Sequence, residues 1–329
     1  MPSEARALWF TSPGSVEIRP VPLRRPHEGE ALVRTTHSGI SPGTEMLAYR
    51  GEIEADLPLD ESIESLGESF RYPFRYGYSS VGIVERGSPT VPEGTQVFAF
   101  HPHQDVFIAG PADLVPLDGV PSREATLYPL VETAFQIDLD AGIEAGRRVM
   151  VLGLGPVGAL TALLMARRGV EVVGVDPLQW KRDIVSRLAQ PGLSLAGPEE
   201  IGDGADTYPM VIEASGNPDA VRLGLECLDH EGRLIVASWF GSREVRVPLG
   251  AEFHRRRLTI TSTQVSTIPA RLSGEWDKDR RRKAVVELMP DLPLSVLATH
   301  TFGFDDAPAA YDAVDRREEG LIHAALAHD

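Results

Sequence analysis

The feature that most constrains this chain of 329 residues is the glycine-rich segment VLGLGPVG. Gly153, Gly155 and Gly158 follow the apolar run RRVMV and open the apolar stretch PVGALTALLMARRG, which has the length of a helix. Between a strand and a helix, the first glycine permits a tight turn, the second admits a pyrophosphate, and the third lets the helix pack closely. The segment therefore predicts a dinucleotide cradle, with Pro156 and Val157 at the helix N-terminus beside the phosphates.

A carboxylate ends the next predicted strand. Asp176 closes the run VEVVGVD, 18 residues after Gly158. A carboxylate at this place accepts hydrogen bonds from ribose hydroxyls and repels a 2′-phosphate, which favours NAD over NADP. Lys181 follows closely and can offset part of that repulsion, or it can belong to an exposed helix face.

Beyond the cradle, buried strands alternate with helices. The segments MVIEASG, NPDAVRLGLECL, GRLIVAS and LTITSTQ continue the pattern. Continuous apolar strands separated by helices are typical of a parallel sheet covered on both faces. The sequence therefore predicts an α/β domain with a doubly wound parallel sheet. LTITSTQ would be its last strand, and residues after about 271 are predicted to be mostly helical.

The first 125 residues have a different pattern, with short β-rich runs separated by Pro and Gly clusters. Such spacing predicts a small β-barrel or sandwich. One acidic insertion, residues 46–75, is predicted to be a long loop, either solvated or acting as a lid. Its acidic residues are Glu52, Glu54, Asp56, Asp60, Glu61, Glu64 and Glu68.

Charge and cysteine usage exclude several classes of protein. The formal net charge of −16 argues against nucleic acid or an anionic membrane as a partner, because both need basic surfaces. The single cysteine, Cys227, precludes an intramolecular disulfide and a Cys-based zinc cluster, and its apolar surroundings predict a core position. The sequence shows neither a signal pattern nor a run long enough to span a membrane, so we expect a cytoplasmic protein.

The order of these parts resembles the medium-chain dehydrogenase/reductase superfamily. The segments SGISPGTE, RYGYSSVG, FHRRRLTITSTQV and RLSGEWDKDRRR are similar to the branch around bacteriochlorophyllide-type dehydrogenases. The resemblance implies a GroES-like catalytic domain over residues 1–130, completed by residues 271–329. It implies a Rossmann dinucleotide-binding domain over residues 131–270, and a homodimer formed through the edge strand LTITSTQ.

Zinc enzymes of this superfamily hold their catalytic metal at three places. By the resemblance these places carry Ser41, Tyr78 and Glu132 in this sequence. A hydroxyl and a phenol are poor zinc ligands at neutral pH, and one carboxylate cannot hold the ion alone. We therefore expect a zinc-independent enzyme, in which Glu132 orients another group or binds a substrate hydroxyl.

Other side chains must then polarise or protonate the reacting oxygen. Tyr78 is the first candidate, as a hydrogen-bond donor and proton source, although it can simply pack. Ser41 can donate directly, and Thr44 resembles the proton-passing hydroxyl of the family with one extra residue in the spacing. His101 and His103, in FAFHPHQ, have the side chain best suited to acid–base exchange, but they can equally be ordinary surface histidines.

The resemblance also assigns further residues around the cofactor. Ser215 and Gly216, in EASG, match the place where the fourth strand ends against the cofactor, and Gln264 follows the last sheet strand, near the nicotinamide. The basic run from Lys278 to Lys283 is predicted to be a solvated helix face.

The resulting prediction is an NAD-dependent oxidoreductase that interconverts a secondary alcohol and its ketone. A sugar or cyclitol is a plausible substrate because the candidate side chains are polar. Two alternatives stay open at this point. Zinc-free relatives also reduce carbon–carbon double bonds conjugated to a carbonyl, as in enones and quinones, and a chain without the metal ligands can be a non-catalytic dinucleotide-binding protein.

Overall fold

The computed structural model describes residues 2–59, 69–201 and 207–328, and the chain divides into two compact units. The first unit combines residues 1–129 with 289–329, and the second contains residues 130–288. The sequence places the return to the first domain at residue 271, whereas the structure keeps residues 271–288 with the second unit. The reason is Arg281, which is buried there and pairs with Glu132.

The strands and helices of both units are numbered in chain order. The strands are Glu4–Ser12 (β1), Ser15–Pro22 (β2), Ala31–Ile40 (β3), Phe74–Arg75 (β4), Ser80–Arg86 (β5), Gln96–Ala99 (β6), Val106–Ala109 (β7), Leu114–Pro116 (β8), Arg148–Leu152 (β9), Glu171–Val175 (β10), Leu193–Ala196 (β11), Tyr208–Glu213 (β12), Leu228–Val236 (β13), Thr259–Ser262 (β14), His300–Gly303 (β15) and Ala324–Ala327 (β16). The helices are Thr44–Arg50 (α1), Ser122–Ala125 (α2), Tyr128–Ala141 (α3), Pro156–Arg167 (α4), Gln179–Ser186 (α5), Pro218–Glu226 (α6), Lys278–Leu288 (α7) and Ala307–Asp315 (α8).

The first unit is built from two sheets. One has the order β2-β1-β4, and the other has the order β15-β16-β3-β5-β6-β8, with β7 also pairing with β3. Strand β16 comes from the end of the chain and pairs antiparallel with β3, from Ala324 opposite Ile40 to Ala327 opposite His37. The C-terminal return therefore completes the GroES-like domain next to the strand that leads into the SPGTE bend.

An aromatic cluster forms part of the core of this unit. Phe10 on β1 stacks on Phe74 of β4, with ring centroids 5.2 Å apart. Its edge also meets Tyr311 of α8, at 5.4 Å. Offset and edge-to-face contacts of this kind add to the burial of large apolar surface. They attach α8, near the end of the chain, to the N-terminal sheet.

The second unit contains a six-stranded parallel sheet in the order β11-β10-β9-β12-β13-β14. In order along the chain this is 3-2-1-4-5-6, the order of a Rossmann fold. The sequence of strand β9 is continuously apolar because both of its faces are buried. Val149 and Val151 pack in one core cluster, while Met150 and Leu152 pack in another, because successive side chains point to opposite faces. The predicted Rossmann and GroES-like fold is confirmed.

Three predictions about the second unit can be compared with the structure, and one of them is corrected. Cys227 is buried as predicted, at the end of α6. The basic run of α7 is exposed at Lys278 and Lys283, but Arg281 is buried, so it is not wholly a solvated face. Strand β14 lies at the edge of the sheet, as expected, and the homodimer formed through it stays a prediction.

The acidic insertion is less loop-like than predicted. Residues 46–50 belong to α1, and Met46 and Tyr49 are buried because they pack into the aromatic core. Phe70 packs in that core as well. The predicted acidic residues Asp60, Glu61, Glu64 and Glu68 lie outside the described residues.

Within the described ranges, the structure contains no helix that is both long enough and apolar enough to cross a membrane.

Candidate functional site

The three glycines of the cradle meet different surroundings in the second unit. Gly153 has a φ of +94°, and a Cβ there would lie 2.5 Å from the Cα of Ser215. A Cβ on Gly158 would lie 1.9 Å from the carbonyl oxygen of Gly153, so the start of α4 packs directly against the loop. A Cβ on Gly155, in contrast, would meet no atom of the described residues within 4 Å. Two glycines are therefore required by packing, and Gly155 leaves open space at the helix N-terminus where a phosphate would bind.

Asp176 is buried at the end of β10 and fixes the glycine-rich loop. Its Oδ2 accepts a hydrogen bond from the backbone N–H of Leu154 at 2.9 Å, and its Oδ1 accepts one from Leu178 at 3.0 Å. The Nζ of Lys181 lies 3.7 Å from Oδ2, so the structure brings Lys181 to the carboxylate. Each carboxylate oxygen can accept more than one hydrogen bond, which leaves capacity for a ribose hydroxyl.

The remaining cofactor candidates fall in two places. Ser215 and Gly216 follow β12, where the Ser215 hydroxyl donates to Oε1 of Glu213 at 2.7 Å and the Gly216 N–H donates to Ser238 at 2.9 Å. Gln264 follows β14, which is separated from β9 by two strands, and its side-chain oxygen accepts the N–H of Ser266 at 3.0 Å.

The start of α4 carries the last two cofactor candidates. Pro156 is buried at the first position of this helix, and Val157 is partly exposed beside it. They continue the loop in which Gly153 packs against Ser215 and Gly158 against Gly153.

In the first unit, the SPGTE bend connects β3 to α1. Ser41 is buried, and its backbone N–H donates to Oε1 of Glu45 at 2.9 Å. Thr44 is the first residue of α1 and is partly exposed. The carboxylate one turn into the helix therefore fixes the position of Ser41.

Glu45 is the centre of a fully buried polar cluster. Its Oε2 accepts the phenol O–H of Tyr311 at 2.6 Å and lies 3.0 Å from Nε2 of His103. Burial and the neighbouring Glu45 carboxylate raise the pKa of Tyr311 well above its usual value, so this phenol stays protonated and donates. His103 is completely buried, which corrects the alternative of a surface histidine.

The cluster continues through a serine to a second histidine. The hydroxyl of Ser38 lies 2.7 Å from Nδ1 of His103 and 2.9 Å from Nε2 of His328. The ring of His328 stacks on Phe304, with centroids 4.1 Å apart. Side chains from β3, α1, α8, the segment between β6 and β7, and the segment after β16 thus form one hydrogen-bonded cluster.

His101 and Tyr78 lie outside this chain. The His101 ring stacks on Phe107, and its Nδ1 donates to the carbonyl of Pro102 at 2.9 Å. Burial lowers the pKa of His101 to about 4, so the ring is neutral at neutral pH. Tyr78 packs edge-on against Tyr76, with centroids 6.1 Å apart, and borders the aromatic core.

Glu132 is held by a cation in the second unit. Its Oε1 accepts a hydrogen bond from Nε of Arg281 at 3.2 Å, and both side chains are buried. Arg281 also donates to Gln136. The carboxylate at the third metal place of the family is therefore already paired with a cation. In the part of the chain that the structure describes, no three His, Cys, Asp or Glu side chains converge as metal ligands would.

Sequence reasoning missed Ser38, Tyr311 and His328 as members of the buried cluster. The SPGTE bend drew attention to Glu45, but without a role. A buried carboxylate needs donors, which is a signal that partners exist. Nothing in the local sequence identifies partners that lie more than 250 residues away along the chain.

Comparison with known proteins finds relatives that are named dehydrogenases. No protein-family model matches the sequence. The chain is 25% identical over 327 residues to 2-desacetyl-2-hydroxyethyl bacteriochlorophyllide A dehydrogenase of Cereibacter sphaeroides, covering 93% of this chain and 92% of the relative. It is 26% identical over 266 residues to D-guloside 3-dehydrogenase of Escherichia coli, covering 76% of each protein.

A solved structure confirms the fold independently. The L-idonate 5-dehydrogenase of E. coli superposes with a TM-score of 0.80 over 98% of each chain, at 14% identity, which shows likeness of fold alone. Together with the two sequence relatives, it confirms the resemblance predicted from the sequence. The relatives are named dehydrogenases, similar to alcohol dehydrogenase-like members of the medium-chain dehydrogenase/reductase superfamily, and this likeness supports an oxidoreductase.

Proposed function

We propose that this protein is a zinc-independent, NAD(H)-dependent oxidoreductase that interconverts a secondary alcohol and its ketone. The observation that carries the proposal is the cradle of the second unit. Open space at Gly155, close packing at Gly158 and a carboxylate at Asp176 are what a dinucleotide without a 2′-phosphate requires.

The residues of the cradle fit the cofactor. The loop from Gly153 to Gly158 and the N-terminus of α4 would hold the pyrophosphate, and Asp176 would accept the adenosine ribose hydroxyls. The cofactor, when bound, supplies or accepts the hydride. Lys181 lies near enough to Asp176 to weaken its negative charge, yet the buried carboxylate still favours NAD over NADP.

The residues at the metal places do not fit a catalytic zinc. Ser41 and Tyr78 offer a hydroxyl and a phenol, and the carboxylate of Glu132 is paired with Arg281. Without a metal, the oxygen of the substrate needs hydrogen-bond donors. Tyr78 and Ser41 carry such donors, whereas the neutral ring of His101 can position a group but holds no spare proton at neutral pH.

The substrate class follows from the polar candidates and from the relatives. One relative is named for dehydrogenating a guloside and another for a hydroxyethyl group on a bacteriochlorophyllide. Both names describe dehydrogenation of a hydroxyl-bearing compound. We therefore propose a hydroxyl-bearing substrate, sugar- or cyclitol-like, in preference to an enone or quinone.

The cofactor preference is tested by fluorescence titration with NADH and NADPH. The wild-type protein should bind NADH at least about tenfold more tightly than NADPH. Asp176→Asn should bring the ratio of NADH affinity to NADPH affinity closer to one, because it removes the charge that repels the 2′-phosphate of NADPH. Since Asp176 also fixes the loop at Leu154, both affinities should fall, and the ratio is the informative quantity. An unchanged ratio in Asp176→Asn would argue against the assignment.

Turnover without metal tests the chemistry. Protein stripped of metal by a chelator, and shown by elemental analysis to contain less than stoichiometric zinc, should oxidise members of a panel of polyols and cyclitols with NAD. Paired enone and ketone substrates separate the double-bond alternative. Activity that appears only when zinc is restored would overturn zinc independence. NADH binding without any turnover would favour a non-catalytic protein.

A further inference from the structure

The buried cluster of the first unit is a continuous series of groups that can both give and take a proton. It runs from His328 through Ser38 and His103 to Glu45, with successive contacts of 2.9, 2.7 and 3.0 Å. Ser38, His103 and Glu45 are fully buried, so water does not reach them directly. Hydroxyl, imidazole and carboxylate groups at such distances are able to exchange protons along the series.

The contacts at the inner end allow one continuous direction of hydrogen bonding. Glu45 accepts from the backbone N–H of Ser41 and from the phenol of Tyr311, as a carboxylate does. With both histidines in the Nε2–H tautomer, His103 donates to Glu45 and its Nδ1 accepts the Ser38 O–H. The Ser38 oxygen in turn accepts Nε2–H of His328. In this arrangement every hydrogen bond in the series points from His328 toward Glu45.

The outer end of the series borders a cavity. His328 lines a cavity of about 230 Å³ together with Arg6, Asp105, Phe304 and Asp305. Its Nδ1 is buried and has no hydrogen-bond partner among the described residues. Burial lowers the pKa of His328 to about 3, so the ring is neutral, and with the proton on Nε2 the lone pair lies on this nitrogen.

We propose that His328, Ser38 and His103 form a proton-conducting chain that connects this cavity to Glu45, beneath the bend that carries Ser41. For one proton delivered inward, a water that enters the cavity gives a proton to Nδ1 of His328, and a turn of the ring against Phe304 after the transfer brings the protonated nitrogen back to Ser38. His328 passes its Nε2 proton to Ser38, Ser38 passes its own to Nδ1 of His103, and His103 passes its Nε2 proton to Glu45. One proton enters and one arrives, and the reverse series carries a proton outward.

The chain has a use in the proposed reaction. Ketone reduction consumes one proton per hydride and alcohol oxidation releases one, and without a metal-bound water another route must connect the active site to solvent. The use of the proton-conducting chain in ketone reduction rests on the proposed function. The existence of the chain does not depend on it. Ser38, His103 and His328 are therefore positioning and proton-passing residues rather than catalytic ones.

The experiment measures proton exchange without turnover. In the full-length protein labelled with ¹⁵N-histidine, both His103 and His328 should give the spectrum of the Nε2–H tautomer. The Nε2–H proton of His103 should exchange with water measurably in the wild type. In Ser38→Ala, the exchange rate of this proton should fall by a factor of about ten or more, because exchange then requires local opening of the core.

Matched variants separate conduction from damage to the fold. Thr35→Val removes another buried hydroxyl of β3, which donates to the carbonyl of Gln104 and is not in the chain, so exchange at His103 should stay at the wild-type rate. Ser38→Thr keeps the hydroxyl and should restore exchange. If Ser38→Ala does not fold, His328→Phe keeps a ring against Phe304, removes both ring nitrogens and should slow exchange equally.

Each outcome decides between the two proposals. Equal exchange rates in the wild type, Ser38→Ala and His328→Phe would overturn the chain, whatever the protein catalyses. Slowed exchange together with a kcat for ketone reduction lowered about tenfold, at unchanged KM for NADH, would support the chain and its use. Slowed exchange with an unchanged kcat would overturn the use. Slowed exchange in a protein that turns over no substrate would leave the chain standing and refute the proposed function instead.

Discussion

At the scale of single residues, Gly155 and Gly158 illustrate how one motif combines two demands. Only a hydrogen atom fits at Gly158, because a methyl group would overlap the carbonyl oxygen of Gly153. At Gly155 a methyl group would enter space that the described residues leave open. Gly158 is needed for packing of the protein itself, whereas Gly155 leaves room for the approach of the proposed cofactor.

These two glycines therefore predict opposite phenotypes. Gly158→Ala should lower the free energy of unfolding by about 1–3 kcal/mol, as overpacking does, and weaken NADH binding as well. Gly155→Ala should leave the free energy of unfolding within about 0.5 kcal/mol of the wild type while weakening NADH binding about tenfold or more. Urea denaturation and NADH titration of both variants measure the two effects. Equal NADH affinity in Gly155→Ala and the wild type would contradict the placement of the pyrophosphate.

At the scale of elements, helices α3 and α7 are joined by a buried ion pair. Glu132 on α3 and Arg281 on α7 are each no more than 5% exposed. Removing one partner of such a pair leaves an uncompensated charge, whereas replacing both with apolar side chains is often neutral. The pair explains why α7 stays with the second unit although its composition is strongly basic.

A double-mutant cycle tests this role. Arg281→Met should lower the free energy of unfolding by about 3–5 kcal/mol, and Arg281→Met combined with Glu132→Met should recover most of that loss. Lys283→Met, on the exposed side of the same helix, should change it by about 0.5 kcal/mol or less. Urea unfolding of the wild type, the double variant and the single variants Arg281→Met, Glu132→Met and Lys283→Met provides the measurement. Additive losses in the double variant would show that the two side chains do not act as a pair.

At the scale of the whole molecule, buried neutral histidines make stability depend on pH. His323 is 1% exposed, its Nε2 donates to the Thr126 hydroxyl at 2.9 Å, and burial lowers its pKa to about 3. In the unfolded chain the same group has a pKa of about 6.5. As pH falls below that value, the unfolded state takes up a proton that the folded state refuses until about pH 3. The stability contributed by the neutral ring is therefore complete above pH 6.5 and is lost progressively between pH 6.5 and 3.

His323 alone should lower the free energy of unfolding by about 2 kcal/mol between pH 7 and pH 5. His101 and His328 act in the same direction, since burial lowers their pKa values as well. His323→Gln should therefore reduce the pH dependence of unfolding by about this amount, while the variant can still donate to Thr126. Denaturation of the wild type and the variant at both pH values gives the comparison. Parallel losses on acidification in the two proteins would refute the contribution of His323.

Features that depend on residues close together in the sequence could be predicted, whereas features that depend on contacts between distant segments could not. Strand β14, Thr259–Ser262, lies within the predicted strand LTITSTQ, and the glycine-rich loop has the predicted strand–turn–helix form. Periodicity and glycine placement act over a few residues, so they can be interpreted along the chain. The burial of His103 and of Arg281 could not be predicted in this way, because their hydrogen-bond partners come from distant segments of the chain.

The sequence by itself determined the Rossmann and GroES-like fold and the position of the nucleotide cradle, because strand periodicity, helix length and glycine spacing are local consequences of backbone geometry. Only the tertiary structure decided what the polar residues do. It pairs Glu132 with Arg281 and joins Glu45 to Tyr311, His103, Ser38 and His328. The physical reason is that a buried polar group must find hydrogen-bond partners, and folding supplies them from wherever in the chain the packing brings them.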